Sequence, residues 1–343
     1  MEHGPRRHRD SREPRLRLSR PLRSAIVASA LAILLPVSAA GITETLEIAV
    51  NGTVRTVRLH VPADAQDAAP LPAVVAFHGS AWNGIAMEQA TGFSDLAERE
   101  RFLAVYPDGT GPADVRSWNA GACCSFALER DVDDVAFVDE LLDRLIAAYS
   151  VDPARIYATG FSNGGMFTYR LAIERPERFA AIAVVAGAMF PSQRTPGVPV
   201  PVLHIHGTSD AVVPYRGGWG SLSLLSGKTE PSLSAVDAVA LWIANNGCDA
   251  GSSVARSERN ARIETVASCE DDTEVVLITL LEGTHDWPVI ERDPSDFLVT
   301  EDALDLYAGL AGTTDADIPW ELFEIGLDAT TAIWEFFERH VRR

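Results

Sequence analysis

Ser162, Asp210 and His285 are far apart in the chain, and each lies in a setting suited to acyl transfer. Gly160-Phe161-Ser162-Asn163-Gly164-Gly165 puts glycines two before and two after the serine. The run Ala154-Arg155-Ile156-Tyr157-Ala158-Thr159 reads as a short strand before it, and Met166 to Glu174 as a helix stopped by Pro176. Strand, Gly-x-Ser-x-Gly and helix together make a nucleophile elbow. So sharp a turn holds its serine in a strained conformation, and its neighbours must be small for strand and helix to pass closely. The turn also exposes the hydroxyl and aims the first helical N–H groups at whatever it attacks. The plain alternative is a helix-capping serine in a glycine-rich turn.

A serine hydroxyl needs a base to take its proton, and the base needs an acid to hold its tautomer. On a strand-and-helix scaffold the order Ser, acid, His is expected, each on a loop after a strand. Asp210 follows the apolar run ending at His206, within Gly207-Thr208-Ser209-Asp210, and His285 follows the run ending near Leu281. Asp286 adjoins His285 but points away if His285 faces the site. His60 falls in an opening hairpin, His340 in the last helix, and His204 and His206 on the strand before the acid, where core packing is the usual role. Acyl transfer also needs donors for an oxyanion. The Asn163 N–H supplies one, and the loop His78-Gly79-Ser80-Ala81 the other, Ser80 first and Ala81 next. Trp82, Trp118 and Trp287, with Trp219, lie on loops at the same end as candidate substrate contacts, with packing beneath loops as their alternative.

These loops need a scaffold. Glu44–Val50 and Thr53–Val61 alternate apolar and polar about Asn51-Gly52, a hairpin signal. Pro72–Phe77, Arg101–Tyr106, Ala154–Thr159, Ala180–Ala186, Val200–His206 and Glu274–Leu281 read as buried strands. Between them Phe93–Glu100, the stretch from Asp133-Asp134 to Tyr149, Ser232–Asn246 and Ala329–His340 read as helices. The acids at 133 and 134 are most simply partners of the helix dipole. Strands alternating with helices predict an α/β fold with a mainly parallel sheet covered on both faces.

The chain has 343 residues and is 47% hydrophobic, enough for one large α/β domain with a real core. A net charge of −19 argues against nucleic-acid binding, which needs a basic surface. Residues 1–40 are the exception, with eight arginines against three acids. With the uncharged run Ala25–Leu35 and the small residues Val37-Ser38-Ala39-Ala40, they read as an export signal, an uncleaved anchor being the alternative. The expected organisation is an export signal at 1–40 and one catalytic domain at 41–343. The acidic stretch 291–326 is an insertion, either a lid or a solvated excursion. Export implies an extracellular protein with no stable membrane association once the signal is cleaved. It also allows disulfides, and Cys248–Cys269 is the favoured pair. For the adjacent Cys123 and Cys124 three states are open: a bridge to each other, pairing elsewhere, or buried thiols.

Several pieces together resemble the esterases of the polyhydroxybutyrate depolymerase type, allied to feruloyl and acetylxylan esterases. They are His78-Gly79-Ser80, Tyr106-Pro107-Asp108-Gly109, Trp118-Asn119 through Cys123-Cys124, Asp133-Asp134-Val135 and Gly160 to Met166. His206 to Asp210 with Val213-Pro214-Tyr215, His285 with Trp287-Pro288, and Ala329-Thr330 through Phe336-Phe337 complete them. The resemblance implies an α/β-hydrolase fold, export, no metal or other cofactor, and ester hydrolysis through an acyl-serine. Its triad maps onto Ser162, Asp210 and His285. The substrate it implies is a hydroxyalkanoate polyester or its oligomers, or a feruloylated or acetylated polysaccharide. A peptidase of the same fold and an inactive binding scaffold are the other readings.

Overall fold

Strand β3 (Leu71–Phe77) is buried at every residue, as its unbroken apolar composition requires of a strand covered on both faces. Among the described residues it lies within a ten-stranded sheet, whose order is β1 (Ile42–Val50), β2 (Thr53–Val61), β4 (Leu103–Pro107), β3, β5 (Val151–Phe161), β6 (Ala181–Val185), β7 (Val202–Gly207), β10 (Val275–Leu280), β9 (Ala261–Val266) and β8 (Val254–Glu258). The structure, a computed structural model, describes residues 1, 41–289 and 327–342, except 64, 66–69, 113, 114, 222 and 225. The expected export signal and the acidic insertion at 291–326 lie outside the described residues.

The central strands β4 (Leu103–Pro107), β3, β5 (Val151–Phe161), β6 (Ala181–Val185), β7 (Val202–Gly207) and β10 (Val275–Leu280) run parallel. The hairpin β1 (Ile42–Val50) and β2 (Thr53–Val61) flanks them antiparallel on one side. Its turn uses positive φ at both Asn51 (50°) and Gly52 (77°), the geometry that matches the twist of a two-residue hairpin. On the other side β9 (Ala261–Val266) and β8 (Val254–Glu258) make a second antiparallel hairpin. No apolar run announced it: β8 is an edge strand exposed at every residue, so nothing buried shapes its composition.

Helices cover both faces. Helices α4 (Asp134–Ala148), α5 (Asn163–Glu174) and α6 (Ala235–Asn245) pack on the face lined by Ala73, Val75 and Phe77. Helices α1 (Gly84–Thr91), α2 (Phe93–Glu100) and α7 (Ala329–Phe337) pack on the face lined by Val74 and Ala76. The period-two alternation of β3 thus feeds two cores. This is the expected α/β-hydrolase arrangement, with α3 (Ser125–Glu129) a short addition in a loop.

The two acids before α4 divide their work. Asp133 caps the helix, accepting from the Ala136 N–H at 3.0 Å. Asp134 does more than meet the dipole: it is fully buried and accepts from Arg55 (2.9 Å) and from the Asn119 N–H (2.8 Å). The disulfide Cys248–Cys269 is formed as expected, and Cys123 and Cys124 are bonded to each other.

Candidate active site

Four loops meet at the C-terminal ends of β3, β5, β7 and β10, where ligands of parallel sheets collect. Strand β5 ends at Phe161 and α5 begins at Asn163, leaving Ser162 alone to turn the chain at φ 53°, ψ −119°. An L residue with a side chain rarely adopts that conformation, and strain of this kind is concentrated at functional sites.

The turn closes only because its glycines have no side chains. A Cβ at Gly164 would lie 2.1 Å from the Phe77 carbonyl oxygen and 2.6 Å from that of His78. Both obstacles are backbone, so neither can swing away. Gly164→Ala is therefore expected to cost about 3 kcal/mol or more, read as a lower denaturation midpoint or as insoluble protein. An unchanged midpoint would contradict the close approach.

Ser162 lies partly exposed at the tip of this turn. The His285 Nε2 is 2.9 Å from its Oγ, and His285 Nδ1 is 2.7 Å from Asp210 Oδ2. The other Asp210 oxygen accepts from the N–H groups of Val212 (2.9 Å) and Val213 (2.8 Å). Burial by itself would raise this carboxyl. Hydrogen bonds from His206 and His285, with the electrostatic attraction of those rings, outweigh burial and hold it well below the usual carboxylate range. With a carboxylate at Nδ1, the imidazole keeps its proton there and presents Nε2 as an acceptor to the serine hydroxyl. The arrangement can take the hydroxyl proton, stabilise the resulting imidazolium and return the proton to a leaving group.

The two segments expected to supply oxyanion donors both adjoin the serine. Asn163 opens α5, so its N–H is among the unpaired amides of the helix start. Its side chain clamps the Trp118 backbone: Oδ1 accepts from the Trp118 N–H at 2.7 Å, and Nδ2 donates to the Trp118 carbonyl at 3.0 Å. A Cβ at Gly79 would lie 3.4 Å from the Ser162 Cβ, which brings the loop of Ser80 alongside the serine. The Ala81 N–H, the alternative donor on that loop, is spent on the Arg116 carbonyl at 2.8 Å. His78, beneath them, donates from Nδ1 to the Gly79 carbonyl (2.7 Å) and accepts at Nε2 from the Gly109 N–H (2.9 Å). Burial lowers its pKa to about 4, so it remains a neutral brace.

Two aromatic expectations need correction. Trp118 is completely buried and stacks on Phe167 at 5.2 Å, its Nε1 donating to the His78 carbonyl at 3.0 Å. Trp287 is also buried and donates to Thr330 Oγ1 at 3.0 Å. Both pack beneath the loops, because indoles of this size fill the gap between loop and core. Trp82 is half-buried, its ring 5.1 Å from Phe161, which in turn lies 5.0 Å from His285. Trp219 is 57% exposed.

Sequence reasoning missed the supports. Arg55 occupies an inward position of β2, where the alternation of that strand calls for an apolar residue. This mismatch was a legible signal, although its partner Asp134, 79 residues away, was not. The pair holds Asn119 beside Trp118 and so braces the Asn163 clamp.

A family model described as "Putative esterase" matches residues 49–300. The chain is 32% identical over 268 residues to "Putative esterase NocK" of Nocardia uniformis subsp. tsuyamanensis, covering 72% of this chain and 74% of that one. It is 28% identical over 223 residues to feruloyl esterase B of Piromyces equi, covering 62% of this chain and 39% of that protein. It is also 32% identical over 135 residues to poly(3-hydroxyalkanoate) depolymerase C of Paucimonas lemoignei, covering 38% of this chain and 31% of that protein.

Proposed function

The chain belongs to the esterase family and is a carboxylic-ester hydrolase, and we propose that it works as a secreted serine esterase through an acyl-serine intermediate. The observation that carries this reading is the continuous hydrogen-bond line from Ser162 through His285 to Asp210. Ser162 Oγ attacks the ester carbonyl as His285 takes its proton. The N–H groups of Asn163 and Ser80 receive the oxyanion. His285 then returns the proton to the departing alcohol, and water, activated by the same imidazole, releases the acid.

The substrate is an uncharged or weakly charged ester, since an excess of acidic residues disfavours a strongly anionic one. Motifs shared with polyhydroxybutyrate depolymerases, and similarity to one such protein, support esters of hydroxyalkanoate oligomers or polyester. Similarity over a longer span to a feruloyl esterase supports a second reading, acylated plant polysaccharide. The uncharged, largely apolar residues 25–40 behind a run of arginines, with two disulfides, support secretion. Among the described residues no helix is long and apolar enough to cross a membrane.

A fluorophosphonate probe tests the serine directly. It is expected to label Ser162 in the folded protein, and failure to label would remove the acyl-serine mechanism. Release assays on hydroxybutyrate oligomers, methyl ferulate and acetylated xylan then separate the substrate readings. Trp82 and the exposed Trp219 are the tryptophans left to contact the substrate, and Trp82 packs on Phe161, which adjoins His285. Trp82→Ala should raise KM several-fold with a smaller change in kcat, as loss of uniform binding does; an unchanged KM would exclude the contact.

The pH profile follows from the site's charges. Protonated His285 cannot accept the serine proton, so kcat/KM falls on the acid side. Asp210, held well below the usual carboxylate range, stays ionised through that fall. One proton therefore switches the enzyme off, and the limiting slope of log kcat/KM against pH should be about one. A slope near two would show that the carboxylate titrates as well.

A further inference from the structure

Behind Asp210 lies a buried line of polar side chains that the esterase reading does not use. Tyr169 Oη is 2.6 Å from His204 Nδ1, and His204 Nε2 is 2.9 Å from His206 Nδ1. His206 Nε2 is 2.7 Å from the Val213 carbonyl and 3.3 Å from Asp210 Oδ2. Tyr169 and His204 are fully buried, and His206 is 2% exposed. Buried polar groups far from water must satisfy one another.

The direction of every hydrogen bond in this line follows from its two ends. A buried phenol must donate its proton, and His204 Nδ1 is the partner it faces. His204 thus keeps its proton on Nε2 and donates to His206 Nδ1. His206 in turn keeps its proton on Nε2, facing two groups that can only accept, a carbonyl and a carboxylate. Read from Val213 backwards, the assignment is the same. Burial keeps His204 neutral, well below the ordinary histidine range.

The line also joins two elements. Tyr169 is on α5, two turns beyond Ser162, while His204 and His206 share one face of β7, whose end leads to Asp210. We propose that Tyr169, His204 and His206 are positioning residues that fix the orientation of Asp210 toward His285 and tie it to the helix carrying Ser162. The proposal rests on the reading of Ser162, His285 and Asp210 as a triad. His206 places a fixed donor on the same oxygen that serves His285. It also holds the Val213 carbonyl, so the loop supplying both N–H groups to the other oxygen cannot rotate. None of the three residues exchanges a proton during turnover.

Two measurements test this. In the wild-type protein, long-range ¹H–¹⁵N correlations should show His204 and His206 as neutral rings protonated at Nε2. Either ring found protonated at Nδ1 would overturn the chain. The second compares two amides at position 206. A glutamine amide reaches where Nε2 lies and retains the donor to Asp210; an asparagine amide reaches only to Nδ1 and loses it. His206→Gln should keep kcat close to wild type, whereas His206→Asn should lower it by up to about 100-fold with KM little changed, the scale of a 1 Å misplacement. Tyr169→Phe should fall between them. Equal kcat values for the Gln and Asn variants would overturn the proposal, and if either fails to fold, the wild-type tautomers alone decide it. The two readings fail separately. An unlabelled Ser162 defeats the triad, whereas a labelled Ser162 with indifferent position-206 variants defeats only the positioning chain.

Discussion

Replacing Ser162 with alanine is expected to lower kcat on p-nitrophenyl butyrate by on the order of 10⁵–10⁶, the scale seen when a serine nucleophile is deleted from an intact site. His285 and Asp210 keep their hydrogen bond, but no oxygen is left to carry the acyl group. What remains is the modest rate that oxyanion donors and binding alone provide. Alanine retains a Cβ, so the strained backbone at φ 53° persists and stability should hardly change. Ser162→Gly should be equally inactive yet more stable by about 1 kcal/mol or more, because glycine adopts positive φ without the steric penalty. Steady-state kinetics with denaturant melts on both variants check the pair of expectations. Activity within tenfold of wild type in Ser162→Ala would show that the nucleophile lies elsewhere.

Asp210→Asn should lower kcat by about 10⁴ while leaving the fold intact, the effect of holding the imidazole in the wrong tautomer. The local hydrogen bonds show why asparagine cannot simply substitute. One oxygen of Asp210 accepts two backbone N–H groups, from Val212 and Val213, so the amide oxygen must take that place. The amide nitrogen is then forced into the position that faces His285 Nδ1 and His206 Nε2, two donors meeting a third. His285 can relieve the clash by moving its proton to Nε2, which then points at Ser162 and can no longer accept. Stopped assays at high enzyme concentration would measure the residual rate. A loss smaller than about tenfold would mean that Asp210 does not set the tautomer.

Much of this site was legible in the chain because its parts obey local rules. Gly160, Ser162 and Gly164 mark a turn that only small neighbours permit, whatever surrounds it. Asp210 and His285 follow apolar runs, and a strand's end is where a parallel sheet leaves side chains free. The tryptophans were not legible in the same way. Trp82, Trp118 and Trp287 all sit on loops near the site, yet two of them are buried. Whether an indole faces a substrate or a core depends on what packs against it, and sequence position does not encode that. The β8–β9 hairpin escaped notice for the opposite reason: its outer strand buries nothing.

The sequence by itself determined the order of the buried strands and the main helices, the turn at Ser162 and the residue types that can carry acyl transfer. These follow from periodicity, turn chemistry and side-chain character, which act over a few residues. Only the tertiary structure decided which distant groups meet: His285 against Ser162 across 123 positions, Arg55 against Asp134 across 79, and Tyr169 against His204 across 35. Such pairings arise from the strand order of the sheet and from the requirement that buried polar atoms find partners, and both conditions exist only once the chain has folded.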